Sequence, residues 1–179
     1  MRILNEWKAR QHQQSLLQKL RTQNTARNPV SYQQAQTVGL LFDATDPQDR
    51  NTVKAYTEQL KTQGKNVTLF AYFRAKENNP NLPFRHITNK DLDWFQRPKD
   101  EAIKHFIKQP FDFLINLNPS QEPVLEYVSA LSQAHLRVGP YSEKLYCYDL
   151  MIDTVKKRNL DYFVKHVAYF LNRLKNSRA

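Results

Sequence analysis

Short apolar runs recur along the chain, separated by stretches in which the apolar residues return at i, i+3 and i+4. Thr37-Val-Gly-Leu-Leu-Phe42 is the first run, and it ends in Asp43. Asn66–Phe73, Phe111–Leu117 and Leu136-Arg-Val138 follow, with shorter candidates at Phe84–Thr88 and Tyr148–Ile152. Runs of this kind fill central parallel strands, which are buried on both faces. The intervening periodic stretches predict amphipathic helices.

The punctuation between runs supports that reading. Asp46 is placed to cap a helix with Pro47 at its first position and Asp49 three residues on, and Gly64 supplies its stop. Asn78-Asn79-Pro80-Asn81 and Pro83 force a loop. Asp91–Phe95 reads as a turn of helix, Lys99–Gln109 as a short amphipathic helix closed by Pro110, and Ser120 as the cap of a helix through Val124, Leu125, Val128 and Leu131. A last helix is expected from Leu160 to Lys175. At the other end, residues 2–24 read as a helix with apolar residues near its two ends and a polar gap over Arg10–Ser15, which suggests docking by the ends or projection from the body. Asn28-Pro29 and the polar run to Gln36 read as a linker. Strands alternating with helices predict a three-layer α/β sandwich. Its sheet is mostly parallel, five- or six-stranded and Rossmann-like or flavodoxin-like, with a basic N-terminal helix. The expected organisation is a helical extension over 1–27 and one α/β domain over 28–179.

Composition says that such a body can fold: 40% of the 179 residues are apolar, with 10 Phe and 9 Tyr, enough to fill a core. The formal charge of +10 is unevenly placed. Residues 1–27 hold six Lys and Arg (Arg2, Lys8, Arg10, Lys19, Arg21, Arg27) against Glu6, net +5. Residues 156–179 hold seven (Lys156, Lys157, Arg158, Lys165, Arg173, Lys175, Arg178) against Asp161, net +6. Residues 28–155, with 14 basic and 15 acidic, are close to neutral. Clustered cations suit a polyanion, so these thirteen residues are the candidate nucleic-acid contacts. Trp94-Phe95 beside Arg97 and Lys99 could add stacking on bases. The N-terminus lacks the apolar block of a secretory signal and no stretch is apolar enough to span a membrane, which makes the cytoplasm the expected compartment.

In parallel α/β folds ligands collect beyond the carboxyl ends of the strands. That edge would gather Asp43, Thr45, Asp46, Asn116, Asn118, Ser120 and Asp153 as a candidate ligand site. A phospho-acceptor site is not matched, because the middle strand ends in Asn116 or Asn118 instead of Asp. The first strand-to-helix turn, Asp43-Ala44-Thr45-Asp46-Pro47, has no glycine and two carboxylates, which disfavours a dinucleotide. Gly39, inside the strand, eases packing. His12, His86, His105, His135 and His166 lie on separate elements, so no metal or other cofactor is expected. Cys147, flanked by tyrosines, reads as a small buried hydrophobe and not as a nucleophile.

Two resemblances accompany these residues. Phe111-Asp-Phe-Leu-Ile-Asn-Leu117, a short helix, and Leu136-Arg-Val-Gly-Pro-Tyr141 resemble the N-terminal Rossmann-like half of heptosyltransferase-type glycosyltransferases, whose sugar-nucleotide site requires a second such half. Over most of its length the chain resembles a family of small Bacteroidota proteins of unknown function. The shared features are a basic first helix, the Val38–Phe42 strand, the Phe111–Ile115 strand and the Leu160-Asp-Tyr-Phe163 helix. That resemblance implies no catalytic residues. The expected function is therefore non-catalytic binding of RNA or a ribonucleoprotein such as the ribosome through the terminal helices. The alternatives are attachment to an anionic membrane surface, with Trp7 and the leucines of the first helix inserted, or a small enzyme or nucleotide- or sugar-phosphate-binding protein using the strand-end edge.

Overall fold

A computed structural model describes residues 2–23, 25–28, 30–74, 82–154, 157 and 159–174, with side chains described from Glu6 onward. Lys156, Arg158, Lys175, Arg178 and the side chain of Arg2 lie outside the described residues. The elements are α1 (Arg2–Thr22), β1 (Thr37–Asp43), α2 (Pro47–Thr62), β2 (Asn66–Phe73), β3 (Arg85–Thr88), α3 (Glu101–Lys108), β4 (Phe113–Asn116), α4 (Pro123–Leu131), β5 (Leu136–Pro140), β6 (Leu150–Ile152) and α5 (Leu160–Leu171). The six strands form one parallel sheet in the order β3-β2-β1-β4-β5-β6. The order reverses between β1 and β4, as in the Rossmann fold.

Alternation along β1 divides the core. Val38, Leu40 and Phe42 face α2 and α5, meeting Val53, Tyr56, Leu60, Phe163 and Val167. Leu41 faces α3 and α4, with Phe70, Ile103, Phe106 and Val128. Gly39 is on that second face because a Cβ there would stand 2.8 Å from the Phe111 ring and 2.9 Å from Leu114. A third cluster sits outside α4: Leu16 is buried, and Leu20 partly so, against Tyr127, Ala130, Leu131 and Cys147. Thus α1 forms an outer layer on α4, and every residue of α4 from Val124 to Leu131 is buried.

Several local expectations are corrected. The polar middle of α1 does not hold it away from the body. His12 Nδ1 lies 2.8 Å from the Phe95 carbonyl, and Arg97 donates to Ser15 Oγ at 2.8 Å, so polar residues meet polar partners on the 93–97 loop. That loop is no helix: a single 3-10 turn spans Asn89–Asp91 under a Thr88/Asp91 capping box, and Asp93 then accepts from the Phe95 and Arg97 amides. Ser120 does not cap α4. Glu122 does, with Pro123 at the first helical position, and Ser120 is exposed. The polar 28–36 segment is anchored, with Ser31, Tyr32 and Ala35 buried and the Lys65 ammonium donating to the Tyr32 and Ala35 carbonyls. Strand β6 starts after Tyr148, whose ring turns inward over Gly139. Helix α5 ends at Leu171, short of the expected Lys175.

Candidate functional site

The strand-end edge brings its expected residues together but uses them on itself. Asp43 accepts from the Thr45 amide at 2.9 Å and pairs with Arg74 at 3.0 Å, while Thr45 Oγ1 accepts from the Arg74 amide. Arg74 also reaches Glu122, so one guanidinium spans the point between β1 and β4 where a Rossmann ligand would enter. Burial pushes the Glu122 carboxyl up, with Arg74 opposing. Asn116 donates to the buried Tyr148 hydroxyl at 2.7 Å and accepts from the Asn118 amide. Ser120 lines a hollow of about 400 Å³ with Tyr141, Glu143 and Thr154; Asp153, just past β6, is exposed.

Helix N-termini at this edge ordinarily attract phosphate, since their first amides are unpaired. Here each already has one amide bonded to a capping side chain. Asp46 accepts from Gln48 N in α2, Asp100 from Ala102 N in α3, Glu122 from Val124 N in α4 and Asn159 from Tyr162 N in α5. Asp49, Glu101 and Asp161 add carboxylates to three of those first turns. The Asp49 carboxyl is pushed up by burial and then by Asp46 and Asp43, a sign of the negative potential that an incoming phosphate would meet. Among the described residues no group of three or more His, Cys, Asp or Glu is gathered closely enough to hold a metal ion.

The candidate cations divide into two sets on opposite sides of the sheet, because α1 lies outside α4 and α5 lies beside α2. On α1 some are engaged by the body. Lys19 donates to the Tyr127 hydroxyl at 2.6 Å, and the Lys8 ammonium sits 3.5 Å from the centre of the Trp94 ring. Arg27 donates to the Ala134 and Ser132 carbonyls just beyond the end of α4 and lies 3.8 Å from Asp149. Arg27 is thus a fastening for the chain that follows α1. Arg10 and Arg21 are exposed and take part in no ion pair among the described residues. Together with Trp7, Gln14 and Gln18 they recur at i, i+3, i+7, i+11 and i+14, a stripe along the outer side of α1 about 21 Å long at 1.5 Å per residue. Trp7, whose ring packs against Phe95, is 47% exposed, and Trp94, under the Lys8 ammonium, 63%. On α5 Lys165 pairs with Asp161, and Arg173, just past its end, stacks on Tyr169; Lys157, before the helix, is exposed.

Between α1 and the first turn of α4 lies a cavity of about 390 Å³, lined by His12, Leu16, Phe95, Glu126, Lys144 and Cys147 among others. Glu126 is 3% exposed and its Oε2 accepts from Lys144 Nζ at 2.6 Å. The Cys147 thiol is pushed up to about 12 by burial and by Glu126, which leaves it unreactive near neutrality. Sequence reading passed over this cluster, since its members come from four separate stretches of the chain, with His12 and Leu16 more than a hundred residues from Glu126. One signal was present: Val124–Leu131 has almost no polar face, and a helix apolar all round must be covered on both sides.

The sheet order and the capped helices define a Rossmann-type α/β protein in which the N-termini of α2, α3, α4 and α5 each hold a side chain of the chain itself. The chain belongs to a family of unknown function (DUF6913), whose sequence model matches residues 8–174 and so takes in α1 from Lys8 onward. No curated protein matches the chain. No helix among the described residues is long and apolar enough to cross a membrane.

Proposed function

We propose that the protein is a non-catalytic binder of RNA or of a ribonucleoprotein surface, and that it makes contact through the outer side of α1 and the adjoining Trp94 loop. The observation that carries this reading is the Trp7–Arg10–Gln14–Gln18–Arg21 stripe, in which cations and amides that can bond phosphate and sugar stand beside two exposed indole rings that can stack on bases. The charge partition supports it. Because α1 and α5 lie on opposite sides of the sheet, the α1 side is taken as the contact and the cations near α5 as a separate surface. Lipid attachment is less well supported, because Leu16 and Leu20 are turned into the body instead of outward.

The test is the salt dependence of binding to single-stranded RNA. If Arg10 and Arg21 each meet a phosphate, together they contribute about −1.4 to the slope of log K against log salt, and Arg10→Ala with Arg21→Ala reduces the slope by that amount. A slope near zero, or a double variant that binds as tightly as the parent, overturns the reading.

A further inference from the structure

The side of α5 that faces away from the sheet is built from the same chemistry as the outer side of α1. Phe163, Val167 and Leu171 are buried in the core against β1 and α2. On the other side stand Tyr162, His166 and Tyr169, with Arg173 just past the helix end, at i, i+4, i+7 and i+11, which at 1.5 Å per residue is a row about 17 Å long. Tyr169 is 50% exposed and Phe170, on the flank of the row, 44%. The Tyr162 and His166 rings lie 4.1 Å apart, and Phe170 meets Tyr169 edge-on at 5.3 Å. The Arg173 guanidinium lies 4.1 Å from the centre of the Tyr169 ring and the Lys157 ammonium 5.2 Å from that of Tyr162. The result is an aromatic row with an exposed cation at each end. Lys165 is set against Asp161 in an exposed pair and counts as neutral.

Charge decides what such a row suits. Residues 156–179 hold seven Lys and Arg against Asp161 alone, so the partner is negative. Of the exposed residues of α5 only Phe170 is wholly apolar and none is aliphatic, which is a poor match to the inside of a lipid layer. Rings standing between cations match a single nucleic-acid strand, which presents flat bases and phosphates in alternation. We infer that the outer side of α5 is a second RNA-contacting surface and that one chain bridges two RNA segments. The inference rests on the RNA-binding reading and goes beyond it, from one contact to two. The bridging follows from the layers. Helix α1 packs on α4, α4 on one face of the sheet and α5 on the other. Three packing distances of roughly 10 Å each set the α1 and α5 axes roughly 30 Å apart. A strand laid along α1 would have to run at least that far round the sheet before it met α5, so a short strand occupies one surface only.

Both tryptophans, Trp7 and Trp94, belong to the α1 side, so tryptophan fluorescence reads that surface alone while calorimetry counts every site. The full chain is titrated with hexauridylate by both methods. Two strands per chain are expected, with fluorescence saturating when the first surface is filled. Phe170→Ala with Arg173→Ala, both at exposed positions, should leave the thermal melt and the fluorescence titration unchanged and lower the calorimetric count from two to one. Arg10→Ala with Arg21→Ala should weaken the fluorescence response at least about ten-fold and leave the α5 site filled. Chain held on an immobilised long oligouridine should capture a second, labelled strand, and either double variant should lose that capture. One site per chain that the α1 variant weakens and the α5 variant spares, or a count of two that the α5 variant leaves unchanged, overturns the inference and leaves the α1 reading standing. A single site that only the α5 variant removes overturns the bridging and the α1 reading together, as does absence of binding to any RNA. If the α5 variant loses binding to phosphatidylcholine vesicles containing phosphatidylserine but binds RNA as the parent does, the surface belongs to lipid and the inference falls.

Discussion

Arg27 is the residue at which the charge-based reading and the structure part company, and replacing it with alanine separates them. Its guanidinium donates to two carbonyls beyond the end of α4, Ser132 O at 3.2 Å and Ala134 O, across more than a hundred residues of sequence. Hydrogen bonds from a charged donor contribute about 1.5–3 kcal/mol each when buried. The Arg27 side chain is 23% exposed, so water can replace part of what is lost, and the 3.8 Å pair with Asp149 adds little because Arg137 already grips that carboxylate bidentately. Relief of repulsion between Arg27 and Arg137 offsets a further fraction. A net loss of about 2 kcal/mol follows, equivalent to a fall of roughly 4–8 °C in Tm for a chain of this size. Arg21→Ala, at an exposed site, should change stability by no more than about 0.5 kcal/mol. Thermal melts and RNA titration below the melting range give the two readouts: Arg27→Ala melts early and keeps its affinity, while Arg21→Ala melts normally and loses affinity. An Arg27→Ala protein that melts like the parent and binds RNA more weakly would refute this placement.

Burial lowers the native pKa of His12 below its unfolded value of about 6.5, so its contribution to stability is complete above that pH and declines as the pH falls through it towards the depressed native value. His12→Gln keeps a donor for the Phe95 carbonyl and should flatten that part of the stability profile in urea melts between about pH 7 and pH 5. Gly139→Ala would place a Cβ 2.3 Å from the Tyr148 ring, which is held by Asn116, and should cost about 3 kcal/mol in a denaturant titration, the upper end for overpacking. Arg74→Ala leaves Glu122, already pushed up by burial, without its cation; a carboxyl with a raised native pKa destabilises as the pH rises through that value. The variant should therefore recover stability on acidification, and Glu122→Gln in the same chain should remove the recovery.

Much of the fold could be read from the sequence because its information is local. The Val38–Phe42 and Phe113–Ile115 runs are buried on both faces, and a continuous apolar run says so without reference to any partner. The Asp46-Pro47 and Gly64 signals bounded α2 because capping involves only near neighbours. What escaped was non-local. Pro123 was a local signal for a start at Glu122; what the neighbouring residues do not show is that this choice also satisfies Arg74, just past β2. The polar residues His12 and Ser15 looked like an interruption in an apolar stripe; they are instead the side of α1 that faces a loop eighty residues away. The thirteen candidate cations were selected by density along the chain, and density cannot distinguish Arg10, which faces solvent, from Arg27, which fastens a helix end.

The capped helix starts and the added helix belong to one logic. A Rossmann sheet offers its ligand the amides at the starts of its helices, and a chain can only use them if it leaves them vacant. This one fills α2, α3 and α4 with Asp46, Asp100 and Glu122, adds Asp49 and Glu101 behind two of them, and draws Arg74 across the crevice. Those contacts stabilise the helices locally, by about 0.5–2 kcal/mol for each cap, at the expense of the phosphate site. On the far side of α4 the opposite holds. A helix apolar on both sides would be exposed there without α1, and α1 covers it with few apolar residues, relying on His12, Ser15, Lys19 and Gln23 for specific bonds. A layer held by polar contacts cannot close as tightly as an apolar one, and the space left under it is the cavity lined by His12, Glu126 and Lys144. The chain thus sets its own side chains at the helix starts where its fold usually binds and leaves a further recess under the helix that carries Arg10 and Arg21.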